Sequence, residues 1–278
     1  MDTEAVFHQY LDFLNQQKWS QLGQVLANPL SYNERTMGSD AYLRSVQDDI
    51  EASSIVAWKL DIHVHDRKSN AIGARLLLSA LNTTNANDQT TVPNGRLIHY
   101  AQHTLFAIKA GKISEIKAIT DVDMANQSLD HVDPSPPPLS KEGSQRRPLD
   151  LYQFYTSYIG CINSRTMENE LHKYCLPQVI WGGRKLPVDE YRQLMEDSFD
   201  AISGLSFDVR DLVVDNDRQQ IFSRIEFTGV PVRSYVGVEP NGRTVRFAEH
   251  AIYWLDAGKI ARVVTVIDWK AYRKQLTS

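Results

Sequence analysis

The chain has 278 residues, 42% of them apolar and 23% charged, with 30 basic against 34 acidic side chains and a formal net charge of -4. That composition excludes a disordered, collagen-like or disulfide-framed chain. No run of Lys and Arg exceeds two residues, so the sequence gives no electrostatic footprint for nucleic acid.

The N-terminus, Met1-Asp2-Thr3-Glu4, is acidic, so no secretory leader is expected there. No apolar stretch approaches the roughly 20 residues that span a bilayer, and no membrane partner is expected. Residues 4 to 17 place Phe7, Tyr10, Leu11 and Leu14 at helical spacing, and Trp19, Leu22 and Leu26 suggest a second short helix. A short strand follows, ending in Arg35. Next comes a helix opened by Ser39-Asp40, where the small acidic residue can cap the first turn. Alternating segments at 55 to 66, 70 to 82, 96 to 109 and 112 to 121 predict a strand meander. Residues 128 to 148 hold Pro134, Pro136, Pro137, Pro138 and Pro148, five of the chain's eleven prolines. A segment of that kind builds no core and reads as a semi-rigid spacer. The pattern then repeats: helices carrying Tyr152, Tyr155, Ile159 and Ile162 and then Met167, Leu171 and Tyr174, and a helix opened by Pro187-Val188-Asp189. Strands follow at 205 to 215, 219 to 232, 244 to 256 and 259 to 268, and then a terminal helix from Trp269 to Leu276. Cys161 and Cys175, the only two cysteines, lie in no metal-ligand spacing, and a reduced, cytoplasmic location is expected.

The repeat is explicit in the residues. His103-Thr-Leu-Phe-Ala-Ile-Lys-Ala-Gly-Lys-Ile113 aligns without a gap on His250-Ala-Ile-Tyr-Trp-Leu-Asp-Ala-Gly-Lys-Ile260, an offset of 147 (250 minus 103) that continues to Asp121 and Asp268. At offsets of 148 to 149, Asn15 meets Asn163, Pro29 meets Pro177, Arg35 meets Arg184, Asp40 meets Asp189 and Tyr42 meets Tyr191. Ordered matches along a whole half mark a duplication. The expected organisation is a domain at 1–128, a linker at 129–147 and a second domain at 148–278. Each is an α+β unit whose helices cover one face of a curved antiparallel sheet.

Both halves resemble SnoaL-like domains of the NTF2-like superfamily. Pro240-Asn-Gly-Arg-Thr-Val245, Phe247-Ala-Glu-His-Ala-Ile-Tyr-Trp-Leu-Asp-Ala-Gly-Lys-Ile260 and Asp268 carry the resemblance best, and Pro93-Asn-Gly-Arg-Leu-Ile98 with His103 to Asp121 carry it more loosely. The resemblance implies two tandem cones, each a curved sheet wrapped around helices. It also implies cofactor-independent cyclisation or isomerisation of a hydrophobic polycyclic intermediate of secondary metabolism, as in similar fungal pathway enzymes. Fusion would supply within one chain the pairing that single-domain relatives reach by dimerising. The superfamily also holds non-catalytic binding or scaffold modules and limonene-type epoxide hydrolases, which stay as alternatives.

Residue by residue, the resemblance points to Arg35, His99, His103 and Asp121 as a catalytic set. Positions four apart on a strand share a face, so His99, Ala101 and His103 would line one wall. Asp121 on the neighbouring strand would orient His103 for proton transfer, and Arg35 would stabilise a developing oxyanion. Tyr32, Arg184, Trp181, Arg246, His250 and Asp268 are the expected substrate-binding residues. Arg246 stands where the first half has His99, so unequal activity of the halves is expected. An Asp that ends a strand also commonly caps the next helix, which is the competing reading of Asp121 and Asp268. Gln102 and Glu249 alternate with the histidines and are expected on the opposite face, toward solvent, the linker or the other domain. Tyr32, Phe106, Trp181, Tyr253 and Trp254 fit either a pocket wall or core. Asp61, His63 and His65 lack a further ligand at a recognisable spacing, so neither a metal nor a cofactor is expected.

Overall fold

The first helix forms because Val6, Phe7, Tyr10, Leu11 and Leu14 fall on one face, and all five are buried. It is the first element of a computed structural model that describes residues 2–81, 97–121, 123 and 149–277. The chain divides into two units, Met1–Val132 and Asp133–Ser278. The expected linker 129–147 and the first Pro-Asn-Gly-Arg segment, 93–96, lie outside the described residues.

The first unit runs α1 (Thr3–Asn15), α2 (Trp19–Gln24), β1 (Leu26–Tyr32), β2 (Arg35–Met37), α3 (Ser39–Ser53), β3 (Ile55–Asp66), β4 (Ala71–Leu81), β5 (Leu97–Lys109) and β6 (Lys112–Thr120). The second runs α4 (Leu151–Asn163), α5 (Met167–Tyr174), β7 (Cys175–Trp181), β8 (Arg184–Pro187), α6 (Val188–Ala201), β9 (Ile202–Asp215), β10 (Gln220–Pro231), β11 (Val245–Asp256), β12 (Lys259–Ile267) and α7 (Trp269–Thr277). Each unit holds one six-stranded sheet, ordered β2-β1-β6-β5-β4-β3 and β8-β7-β12-β11-β10-β9. Among the described residues, only β1 with β6 and β7 with β12 pair in parallel. The duplication inferred from the sequence is therefore a duplication of topology, and both units are α+β cones of the NTF2-like kind.

Two details carry the repeat to the level of single bonds. β3 and β9 are edge strands, whose outward backbone groups need partners. The Asn15 side chain supplies them, donating from Nδ2 to Trp58 O (2.9 Å) and accepting at Oδ1 from Trp58 N (2.8 Å). Asn163 does the same for Phe207, at 2.8 and 2.9 Å. We expect Asn163→Ala to cost about 1 kcal/mol, since two modest hydrogen bonds are exchanged for water at a partly exposed edge; urea denaturation reads this directly. The irregularities also repeat: β3 bulges between Leu60 and Ile62, and β9 bulges opposite Arg224 and Ile225. A bulge bends its strand and strengthens its twist.

The capping expectation is corrected. Asp40 and Asp189 lie inside the first turns of α3 and α6, not at their caps; the N-cap residues Gly38 and Pro187 make no side-chain cap bond, and the first N–H of α3, Ser39 N, donates instead to Asn28 Oδ1 at 3.3 Å. The charges of Asp40 and Asp189 still complement the helix dipole there. Among the described residues no helix is long and apolar enough to cross a membrane.

Candidate active site

Sheet register decides which side chains face the helices. In β4 and β5 the cross-strand pairs Leu78–Tyr100, Leu76–Gln102 and Ile72–Phe106 lie on one face, and their apolar members pack in the core with Phe7 and Tyr10 of α1. Gln102 therefore points toward the helices. His99 and His103 have the other parity, opposite Ser79 and Arg75. In β11, Val245, Phe247, Ala251, Tyr253 and Leu255 belong to the helix-side core, and Glu249 stands among them at the same parity. Arg246 and His250 point the other way.

The expected wall of histidines is thus corrected: His99, His103 and His250 are not on the cone's inner face. The physical reason is that β5 and β11 carry apolar residues at both parities. Leu105 and Ala107 alternate with Tyr100 and Phe106, and Ile252 and Trp254 alternate with Tyr253 and Leu255, so alternation could not say which face was inner. His99 is exposed, with its Nδ1 3.0 Å from Ser79 Oγ. His103 and His250 are buried, each directly across from an arginine, Arg75 and Arg224. Those arginines pair with Asp61 at 3.1 Å and Asp211 at 3.8 Å.

The remaining expected residues are also dispersed. Arg35 and Arg184 are exposed and close the tight β1–β2 and β7–β8 turns opposite Tyr32 and Trp181. Tyr32 packs edge-on against Tyr42, and Trp181 packs against the second core. Arg246 ion-pairs with Glu226 at 2.6 Å, and Arg210 joins the same carboxylate at 2.7 Å. Burial alone would raise the Glu226 pKa, but the two guanidiniums outweigh it and hold the carboxyl below its ordinary value. Asp121 follows β6, its N–H donating to Ala101 O at 2.9 Å. Asp268 takes the helix-capping role, its Oδ1 accepting from Ala271 N at 2.8 Å. Asp268→Ala is expected to cost about 1 kcal/mol of stability through the lost cap, read as a lower urea midpoint. Glu4 sits 3.0 Å from His63 Nε2 and 3.5 Å from His65 Nδ1, which ties α1 to β3.

What converges on the inner face is a polar cluster in the second unit. Glu249 is 9% exposed. Burial pushes its carboxyl pKa up to about 7, and the Thr265 hydroxyl, donating to the carboxylate, restrains the rise. Around it Tyr155 OH lies 2.6 Å from Ser223 Oγ and donates to Tyr253 OH at 3.2 Å. Tyr158 OH lies 2.9 Å from Tyr191 OH. Burial raises all four phenol pKa values, and Glu249 adds to the rise at Tyr155, Tyr191 and Tyr253. These hydroxyls therefore stay protonated, as hydrogen-bond donors within electrostatic range of a carboxyl poised near neutrality.

The first unit keeps only part of this set. Tyr10 and Tyr42 form the hydroxyl pair that corresponds to Tyr158 and Tyr191. Elsewhere the repeat substitutes Gln102 for Glu249, Phe106 for Tyr253, Ala118 for Thr265, Phe7 for Tyr155 and Ala74 for Ser223. Gln102 donates to Thr120 Oγ1 at 2.8 Å and accepts from Thr104 Oγ1 at 3.4 Å, an arrangement with no ionisable member. Shared positions drew attention to the histidines, whereas the positions at which the halves differ pick out the polar cluster. That contrast was available in the sequence.

A duplicated α+β cone, with a buried carboxylic acid among phenols in its second unit, is an NTF2-like architecture. Residues 150–276 match the model of the SnoaL-like polyketide cyclase family, and the chain belongs to that family through this half. A SnoaL-like polyketide cyclase from Agrobacterium tumefaciens is 30% identical over 46% of this chain and 98% of its own, with a TM-score of 0.43. TsrD from Streptomyces laurentii is 20% identical over 46% and 97%, with a TM-score of 0.42. IdmH from Streptomyces antibioticus is 15% identical over 47% and 100%, also at 0.42. No curated protein matches the chain.

Proposed function

We propose that the second unit is a cofactor-independent cyclase or isomerase acting on a hydrophobic, polycyclic carbonyl compound, with Glu249 as its acid–base group. The observation that carries this reading is the buried Glu249 carboxyl, with its pKa near 7 and tyrosine hydroxyls around it. A general base works best when its pKa lies near the working pH. In an aldol-type closure the Glu249 carboxylate takes a proton from the carbon beside a carbonyl. The resulting enolate, its oxygen accepting from a phenol, forms the new carbon–carbon bond to a second carbonyl. The proton held by Glu249 then passes to the alkoxide produced, so the product has the mass of the substrate. In an isomerisation the same proton returns to a different carbon. Tyr253 is the phenol best placed to serve the oxyanion, because its hydroxyl accepts from Tyr155 and keeps its own proton to donate.

The test is a metabolite profile of a host carrying the wild-type gene or Glu249→Gln. The expected result is an isomer of unchanged mass that forms only with the wild type. A product heavier by one water would favour hydrolysis of an epoxide, and an unchanged profile in both hosts would favour a binding module.

A further inference from the structure

Glu249 is buried, so a substrate reaches it only where the fold opens. The two ends of α7 are held in different ways. At its start, Asp268 N donates to Ala248 O at 2.8 Å, and Asp268 Oδ1 accepts from Ala271 N at 2.8 Å. At its last turn the bonds come from side-chain amides. Gln275 accepts from Arg246 N at 3.0 Å and donates to Arg246 O at 2.9 Å, on the edge of β11 beyond its pairing with β12. Asn241 Nδ2 donates to Leu276 O at 3.0 Å. Asn241 and Arg246 are exposed, and bonds at such a rim exchange for water at modest cost. Between the two ends Tyr272 is fully buried, its ring 5.1 Å from Phe247, which lies two residues from Glu249 on the same sheet face. Buried hydroxyls in native proteins almost always have a hydrogen-bond partner, yet among the described residues the Tyr272 hydroxyl has none. Undocking returns it to water, so this group opposes closure. A helix of nine residues is also too short to persist alone in water, so release of the last turn can propagate toward Asp268. Counting back 147 residues, the first half has Val122, Ala125 and Ser128 where the second has Trp269, Tyr272 and Gln275.

We propose that α7 is a lid on the inner face of the second unit, hinged at Asp268 and latched by Gln275 and Asn241, and that it swings away to admit substrate to Glu249. The lid rests on the reading of Glu249 as the reacting group, and it gates that group without touching the reacting atoms. When closed, Tyr272 and Trp269 cover Phe247, at 5.1 and 5.6 Å between ring centres, and keep water from the strand face that carries the carboxyl. The latch bonds are few, and the unpartnered hydroxyl offsets part of what they contribute, so the helix opens without global unfolding.

The test uses the full chain with Glu249→Cys and a pyrene maleimide, a flat polycyclic thiol reagent. Peptide mass spectrometry separates the introduced thiol from Cys161 and Cys175, which are buried and serve as the reference for global unfolding. The introduced thiol is expected to react at least about 10-fold faster than either native cysteine, and its rate should stay nearly flat in low urea while theirs climb. Gln275→Ala and Asn241→Ala, each combined with Glu249→Cys, should raise that rate roughly 5- to 10-fold, the size of a lost hydrogen bond. Tyr272→Phe should lower it about 5-fold, because the closed state sheds an unpartnered hydroxyl. Ser223→Cys, nearly isosteric and on the same inner face, repeats the measurement where Glu249→Cys fails to fold. Labelling in step with Cys161 and Cys175 at every urea concentration would overturn the lid. So would a rate that the latch variants and Tyr272→Phe leave unchanged. Retained turnover in Glu249→Gln would overturn the catalytic reading alone, because the labelling rates need no turnover.

Discussion

Glu249→Gln is expected to lower kcat by about 1,000-fold while leaving KM within a few-fold, the effect of removing a general acid–base group and little else. The amide keeps the shape and can still accept from Thr265, so the loss would report proton transfer and not packing. Two companion variants give the result its meaning. Gln102→Glu places a carboxyl at the corresponding position of the first unit, where Phe7, Ala74 and Phe106 replace the hydroxyl-bearing residues; it should neither raise nor lower turnover appreciably. His103→Ala should change turnover far less than Glu249→Gln, since the histidine lies on the sheet face away from the helices. A variant ranking with His103→Ala the more damaging would move the chemistry to the other sheet face. Steady-state kinetics on the substrate identified by metabolite profiling would read all three.

The second large effect is on stability as a function of pH. The folded-state pKa of Glu249 is raised from 4.5 to about 7, so between those values the folded protein holds a proton that the unfolded chain has lost. Stability from this group is fully present below about pH 4.5 and falls as pH rises through 7. That rise in pKa corresponds to about 3 kcal/mol. Urea denaturation of wild type and Glu249→Gln at pH 5 and pH 8 isolates the group, because every other titration is common to both proteins. The variant should be close to wild type at pH 5 and more stable than it by about 2 to 3 kcal/mol at pH 8. Equal differences at the two pH values would show that the carboxyl is not buried in its charged form. The same ionisation predicts that kcat/KM rises with pH through about 7, since the base must be unprotonated in the free enzyme.

These expectations turn on one carboxylate that alternation had assigned to the outer face. Glu249 and His250 are neighbours, so a reading that placed the histidine inside necessarily placed the glutamate outside. A strand that is apolar on one face announces its inner side, but β11 is buried on both. Arg246, with its ion pair to Glu226, carries the charged character expected of the outer face. Asp268 shows a related ambiguity, because a carboxylate that ends a strand and precedes a helix satisfies the pattern of a cap as well as that of a site. Its bond to Ala271 N decides for the cap.

The helices, the strand meander, the Gly-Lys turns and the duplication follow from the sequence because periodicity and turn chemistry are local, and the offset of 147 is carried by residues compared one by one. The unequal chemistry of the halves was also written there, in pairs such as Gln102 and Glu249 or Phe7 and Tyr155. Which side of each sheet the helices cover was not, since it depends on register between strands far apart in the chain. Only the tertiary structure brings Tyr155, Ser223, Glu249 and Tyr253 to one inner face. Burial there, which no single segment can impose, makes a glutamate with an ordinary pKa near 4.5 into a group poised near 7.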